Sequence, residues 1–407
     1  MKQRTARSKA QDSHARRLRD RPRPTGLLLP AVCFVFALVS FNAAQQPRMA
    51  DGRDTTIDAA TRAQVIESAL QSLREAYVYP EVATRMEQAI RERVAKKEYE
   101  GVTSARQLAQ TLTEHLQAVS RDKHLRVSFS FEPLAEGMGT GRPVVIRRDS
   151  GSGTTPPAGG NPTTVGREPG GGNIRGLSDN PNAGVEKVER LEGNIGLLEF
   201  SVFERLPLAA DKVSEAMNKL ADTDALIIDL RANRGGASET IRLLMSYFFD
   251  KRVHINDYYD RLEDRTDSIY TLAEVPGKRY GDKPVYILTS GRTFSAAESI
   301  SYSLKNLRRA TIVGETTRGG AHPVTARRLN DHFTVMVPTS RYISPVTKTN
   351  WEGVGVEPDV KVPAAHALKV AQLAALKKLA ANKRDAQGAA QLKSLAEALQ
   401  KEVDALK

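Results

Sequence analysis

The sequence predicts an α/β core preceded by a small helical bundle and followed by a helical tail, and three observations carry that reading. Between residues 185 and 362 short apolar runs alternate with amphipathic stretches, the pattern that builds a largely parallel sheet covered by helices. Residues 58–120 repeat apolar side chains at helical spacing. Residues 363–407 are dominated by Ala, Leu and Lys, which favour a helix with solvated charges.

The bundle is read from Val82, Met86, Ile90 and Val94, and from Leu108, Leu112 and Leu116 behind a Thr103–Ser104 cap. Leu125, Val127, Phe129 and Phe131 then alternate with Arg126, Ser128 and Ser130, the period of a half-buried strand. That strand ends the first module, residues 58–131. From 132 to 184 the composition turns to Gly, Pro, Thr and Asn, which cannot bury enough surface to offset ordering entropy, so a flexible linker is expected. In the core, Ile195–Phe200, Ala225–Leu230, Val285–Thr289, Thr311–Val313 and Phe333–Val337 read as strands. Residues 207–221, 237–250 and 295–308 read as helices, and no internal repeat is evident.

Composition bounds the function. Of 407 residues, 40% are hydrophobic and 27% charged, values of an ordinary globular protein rather than a disordered or polytopic membrane chain. The net charge of +12 is uneven: residues 1–44 hold nine Lys/Arg against Asp12 and Asp20. The rest shows no basic stripe interleaved with aromatics, which argues against a nucleic-acid partner. The basic run leads into an apolar stretch from Gly26 to Phe41 and then Ala43–Ala44, the plan of a secretory signal, or of a membrane anchor if uncleaved. A periplasmic or secreted location is therefore expected. The single cysteine, Cys33, lies in that segment, so no disulfide or thiolate metal site is expected in the mature protein.

Two segments could carry chemistry. Asp229-Leu-Arg-Ala-Asn-Arg-Gly-Gly236 follows a buried strand and precedes a helix, so its glycines can turn N–H groups toward an anion; taken alone, such a segment is more often a plain turn. It lacks the Lys-Ser/Thr ending of a nucleotide-binding loop. Thr289-Ser-Gly-Arg-Thr-Phe-Ser-Ala-Ala-Glu298 has the same strand-turn-helix form. Ser295 would begin the helix, where free N–H groups favour developing negative charge, yet Ser295-Ala-Ala-Glu298 also fits a capping box. A serine nucleophile needs a base, and His124, His254 and His322 are the candidates among the histidines weighed; no H-E-x-x-H spacing suggests a metal.

Taken together these segments resemble the tail-specific (C-terminal processing) and tricorn-core serine peptidase family, nearest its bacterial branch resembling interphotoreceptor retinoid-binding protein. The resemblance runs from Ile66 to Leu373 apart from the linker. It rests on the two segments above, Ile312-Val-Gly-Glu-Thr-Thr-Arg-Gly-Gly320 and Asn350-Trp-Glu-Gly-Val-Gly-Val-Glu-Pro-Asp359. It implies a core like crotonase and Clp protease, Ser295 as nucleophile, and the N–H groups of Gly236 and Ala296 as oxyanion hole. The lysine of the tail-specific Ser-Lys dyad falls at Gly320 and is absent. His124 and Glu352 match the tricorn-type histidine and glutamate, with Lys123 where that type has a serine, and His322 stands as the alternative base. A PDZ module is missing from its usual place. The implied function is an exported peptidase acting on polypeptides without metal or cofactor; the competing function is a non-catalytic carrier of a hydrophobic ligand on the same fold.

Overall fold

The computed structural model describes residues 53–135 and 181–406. The expected signal or anchor at 1–44, and residues 136–180 of the linker expected over 132–184, lie outside the described residues. Among the described residues, no helix is long and apolar enough to cross a membrane.

Three helices come first, α1 (Ala59–Ala76), α2 (Pro80–Ala95) and α3 (Ala105–Ser120). Their starts are written locally. Asp58 accepts the Thr61 N–H at 2.7 Å, Pro80 occupies the first turn of α2, and Ser104 accepts the Gln107 N–H at 3.0 Å. Leu108, Leu112 and Leu116 are buried as their spacing predicts. On α2, however, Met86 and Ile90 are buried while Val94 is 46% exposed. A strict four-residue repeat drifts off a 3.6-residue turn, so its far end rotates out of the core.

Strand β1 (Arg126–Phe129) follows α3. Beyond residue 181 come β2 (Val185–Leu191), β3 (Ile195–Phe200), α4 (Leu206–Leu220), β4 (Ala225–Asp229) and α5 (Ser238–Ser246). Next are β5 (His254–Asp260), β6 (Arg265–Tyr270), β7 (Val285–Thr289), α6 (Ala296–Asn306) and β8 (Thr311–Gly314). The chain closes with β9 (Val324–Arg328), β10 (Phe333–Pro338), β11 (Ser340–Ile343), β12 (Val360–Lys361), α7 (Ala367–Asn382) and α8 (Ala386–Asp404).

The central sheet has the order β12-β8-β7-β4-β3-β2 and is parallel except for β2 against β3. Leu198, Leu226, Ile228 and Ile287 fill one face with α4, α5 and α6; Leu197, Ile227, Leu288 and Val313 fill the other with α7 and α8. Burial on both faces is why these strands read as unbroken apolar runs. The mixed α/β core with helices before and after it is therefore as expected. The tail keeps its charges in water but packs Ala371, Ala375 and Leu376 on the sheet.

Two expectations need correction. The helix expected over 237–250 stops at Ser246, because the Tyr247 carbonyl accepts the Tyr280 N–H at 2.7 Å, outside any helix. Phe333–Val337 is a strand, but not of the central sheet. As β10 it pairs antiparallel with β1 and β9. Phe333, Val335 and Val337 are all under 2% exposed against the side chains of α1 and α3, completing the bundle's core. The alternation was genuine; one of its two partners, β1, lies about 200 residues earlier in the chain. A third sheet, β11-β5-β6, carries His254. Because the chain leaves the central sheet at β8 and returns through the bundle, residues 315–323 bridge the two.

Candidate active site

Asn233 is the organiser of the Gly-Gly turn. Fully buried, it accepts the Gly235 N–H at 2.8 Å and donates to the Phe200 carbonyl at 3.2 Å. Gly235 and Gly236 then take φ of +110° and +133°, a region closed to most side chains. At Gly236 a Cβ would meet the Phe203 carbonyl oxygen at 2.1 Å; at Gly235 it would stand 2.8 Å from the Ser295 Cβ and 3.1 Å from the Ala296 nitrogen. The glycine turn thus lies directly against the serine turn. Thr293 Oγ1 donates to the Leu230 carbonyl at 2.8 Å and Phe294 N–H to the Asn233 carbonyl at 3.2 Å, locking the two together.

Ser295 precedes α6 with φ +56° and ψ −119°, strained for a non-glycine residue. Among the described residues, neither the Gly236 nor the Ala296 N–H has a protein acceptor. Two free donors and a helix N-terminus beside a strained hydroxyl form an arrangement suited to an oxyanion.

Glu298 makes the expected return bond to the Ser295 N–H at 2.8 Å, but it is more than a cap. Its side chain also accepts Thr317 Oγ1 at 2.5 Å, Gly319 N–H at 2.6 Å and Gly320 N–H at 2.9 Å. Burial pushes its carboxyl up, and these donors oppose that. One carboxylate therefore fastens the serine turn to the loop that returns to the bundle.

From the bundle side comes His124. Its ring stacks on Phe294, centroids 4.4 Å apart, next to Ser295. A Cβ on Gly320 would stand 2.2 Å from Phe294 Cε2 and 2.7 Å from His124 Cε1, so the imidazole fills the space a side chain at 320 would need. His124 Nδ1 is buried and has no hydrogen-bond partner among the described residues. Burial drives its pKa down to about 4, with Asp122 pulling upward and His322 and Arg318 adding to the fall. The ring is neutral at pH 7, as a proton acceptor must be.

His322 lies elsewhere in the network. At 3% exposure, it pairs through Nδ1 with Asp122 at 2.7 Å and sits edge-on to Tyr79. Glu352 meets that same Nδ1 at 3.5 Å and accepts the Ala321 N–H at 2.5 Å. Asp122, His322 and Glu352 could each offer a ligand atom within 4.8 Å of the others, although the His322–Asp122 hydrogen bond already engages Nδ1. His254 is in β5, bonded to Asp257 at 2.8 Å and stacked on Tyr270. The residue missed from the sequence is Asp122, which reads there as a polar turn residue; its place before Lys123-His124 was the available signal.

Glu352 yields a stability prediction. Burial first, and then Asp122, raise its pKa to about 7, against the Ala321 N–H and His322. The unfolded carboxyl titrates near ~4.3, so the native state holds this proton more tightly. The associated stability is complete below about pH 4 and is lost as pH rises through 7. Urea denaturation between pH 5 and 8 should show a loss of about 1–3 kcal/mol from this group. Glu352→Gln should flatten that slope; equal slopes in both proteins would remove Glu352 as its source.

Residues 194–362 match peptidase family S41, and residues 59–145 match the N-terminal domain of peptidase S41 in eukaryotic IRBP. The carboxy-terminal-processing protease of Bartonella bacilliformis is 28% identical over 178 residues, 42% of this chain and 40% of that protein. The carboxy-terminal processing protease CtpA of Bacillus subtilis is 28% identical over 182 residues, 44% of this chain and 37% of that one. The chain thus spans about two-fifths of the length of these curated relatives. The photosystem II D1 C-terminal processing protease superposes with a TM-score of 0.44 at 19% identity, over 76% of this chain and 94% of that one. With both the core and the helical module matched in chain order, this protein belongs to peptidase family S41.

Proposed function

We propose that the protein is an exported serine-type peptidase that hydrolyses peptide bonds in polypeptides through an acyl-enzyme. The observation that carries the reading is Ser295 held at φ +56° before α6, with the unbonded Gly236 and Ala296 N–H groups beside it. On this reading Ser295 Oγ attacks the carbonyl while His124 accepts its proton and then passes it to the leaving amine. Gly236 and Ala296 donate to the oxyanion, whose charge the α6 N-terminus also favours. Water then releases the acyl group with His124 again as base. His322 is disfavoured as base because its Nδ1 is engaged and its Nε2 is buried. Glu352 belongs to the supporting polar network. Residues 1–44 serve as export signal or anchor, 58–131 as the helical module, 132–184 as linker, 185–362 as peptidase core and 363–407 as tail.

A fluorophosphonate should modify the protein once per chain, with the adduct on Ser295 by peptide mass mapping. The acid limb of kcat/KM should lie below pH 6, following the depressed His124 rather than an ordinary histidine. A limb at or above 6.5 would exclude His124 as the free base. Absence of labelling, together with a co-purifying apolar ligand, would favour the carrier function instead.

A further inference from the structure

We infer that Asp122, rather than Glu352, is the carboxylate that orients His124, acting as a positioning residue for the base. The inference rests on the peptidase reading above. Its starting point is the His124 Nδ1, a buried polar atom without a hydrogen-bond partner among the described residues, which is costly to leave unpaired. Asp122 Oδ1 lies 4.0 Å from it. The same oxygen accepts the backbone N–H of His124 at 3.0 Å, so the turn that places the imidazole is built on the carboxylate that faces it. Rotation of the ring by about 1 Å at Nδ1 closes the gap to a hydrogen bond, and catalytic hydrogen bonds are often long before substrate arrives.

Asp122 is also the better anchored of the two carboxylates. Its side chain is 1% exposed, and Oδ2 accepts His322 Nδ1 at 2.7 Å and the Tyr77 hydroxyl at 3.3 Å. Three donors from three segments hold it still. Glu352 touches the relay only through His322 and the Ala321 N–H. Raised to about 7, it is partly protonated at neutral pH and is the weaker counter-ion for an imidazolium. The chain of contact runs His124, Asp122, His322, Glu352, with the catalytic ring at one end and Glu352 at the other. Arg318 and Lys123 are the cations flanking His124, and Phe294 faces it from the α6 side.

The test compares Asp122→Asn, Asp122→Glu, Glu352→Gln and Ser295→Ala in the full chain. Asp122→Asn keeps an acceptor for the His124 N–H and loses the charge, so kcat should fall roughly 10²–10⁴-fold with KM within about threefold. Its acid limb should move to lower pH, because the group that favours the imidazolium is gone. Asp122→Glu should recover part of kcat, and Glu352→Gln should cost less than about tenfold. Collapse in Glu352→Gln with a near-normal Asp122→Asn would overturn the inference while leaving the nucleophile intact. Full activity in Ser295→Ala would instead remove the peptidase reading, and this inference with it. Nitrogen-15 NMR of His124 in Ser295→Ala needs no change at Asp122: a neutral ring protonated on Nδ1 is expected at pH 7, and the Nε2–H tautomer would overturn the pairing whether or not Asp122→Asn folds.

Discussion

Ser295→Ala is expected to lower peptide hydrolysis by roughly 10³–10⁶-fold and to abolish fluorophosphonate labelling, with the fold retained. On the proposed mechanism Ser295 Oγ forms the acyl bond, so its removal leaves the oxyanion donors with nothing to stabilise but a water attack. Little else in the fold depends on that hydroxyl. The anchoring bonds at this turn use the Ser295 backbone: its N–H donates to Glu298 at 2.8 Å, and its carbonyl accepts the Glu298 and Ser299 N–H groups at 2.9 Å each. Alanine keeps all three. Unchanged melting alongside lost turnover is the expected signature, and measurable turnover near the wild-type rate would eliminate the nucleophile.

Gly320→Ala should have the next largest effect, an activity loss on the order of 10²-fold from a single methyl group. No backbone strain is involved, because Gly320 is not among the glycines with positive φ. The cost is steric. The new methyl would overlap Phe294 Cε2 at 2.2 Å, Phe294 Cζ at 2.5 Å and His124 Cε1 at 2.7 Å, so one ring or both must move about an ångström. Those rings stand between the bundle and the serine turn, and misplacement of that size suffices to spoil proton transfer. Overpacking should reduce stability by about 1–3 kcal/mol, separable from the kinetic effect by denaturant titration. Wild-type kcat in a stably folded Gly320→Ala would mean that the His124–Phe294 stack has no part in turnover. A base at 320 and an imidazole at 124 are alternatives for one space.

The central sheet was legible because its strands are covered on both faces: ALIID of β4 and VYILT of β7 are buried throughout and carry the continuous apolar signal. Strands with a wet face were not. VEKVERL of β2 exposes most of its side chains and VTARR of β9 is half-buried along its whole length, and their polarity resembles loop. Pairing partners are less visible still, since periodicity gives a strand its buried face and says nothing of which distant strand lies beside it; β10 was assigned to the wrong sheet for that reason. At the proposed site, Ser295, Gly236, Ala296 and His124 were reachable through motif and resemblance. Asp122 was not, because a carboxylate at a helix-to-strand junction looks like any solvated turn until the fold brings His322 against it at 2.7 Å. Glu298 was visible only as a cap; its three further donors come from a loop some twenty residues on.

The return of β9 and β10 to the first module has an evolutionary and practical consequence. Two of the three strands beneath the helices are encoded after the serine, so the amino-terminal part is not a cassette that recombination or cloning can lift out at residue 131. Cut there, it would bare the apolar surface that Phe333, Val335 and Val337 cover. Newly made chain would likewise wait until more than two hundred further residues had been synthesised before this module could close.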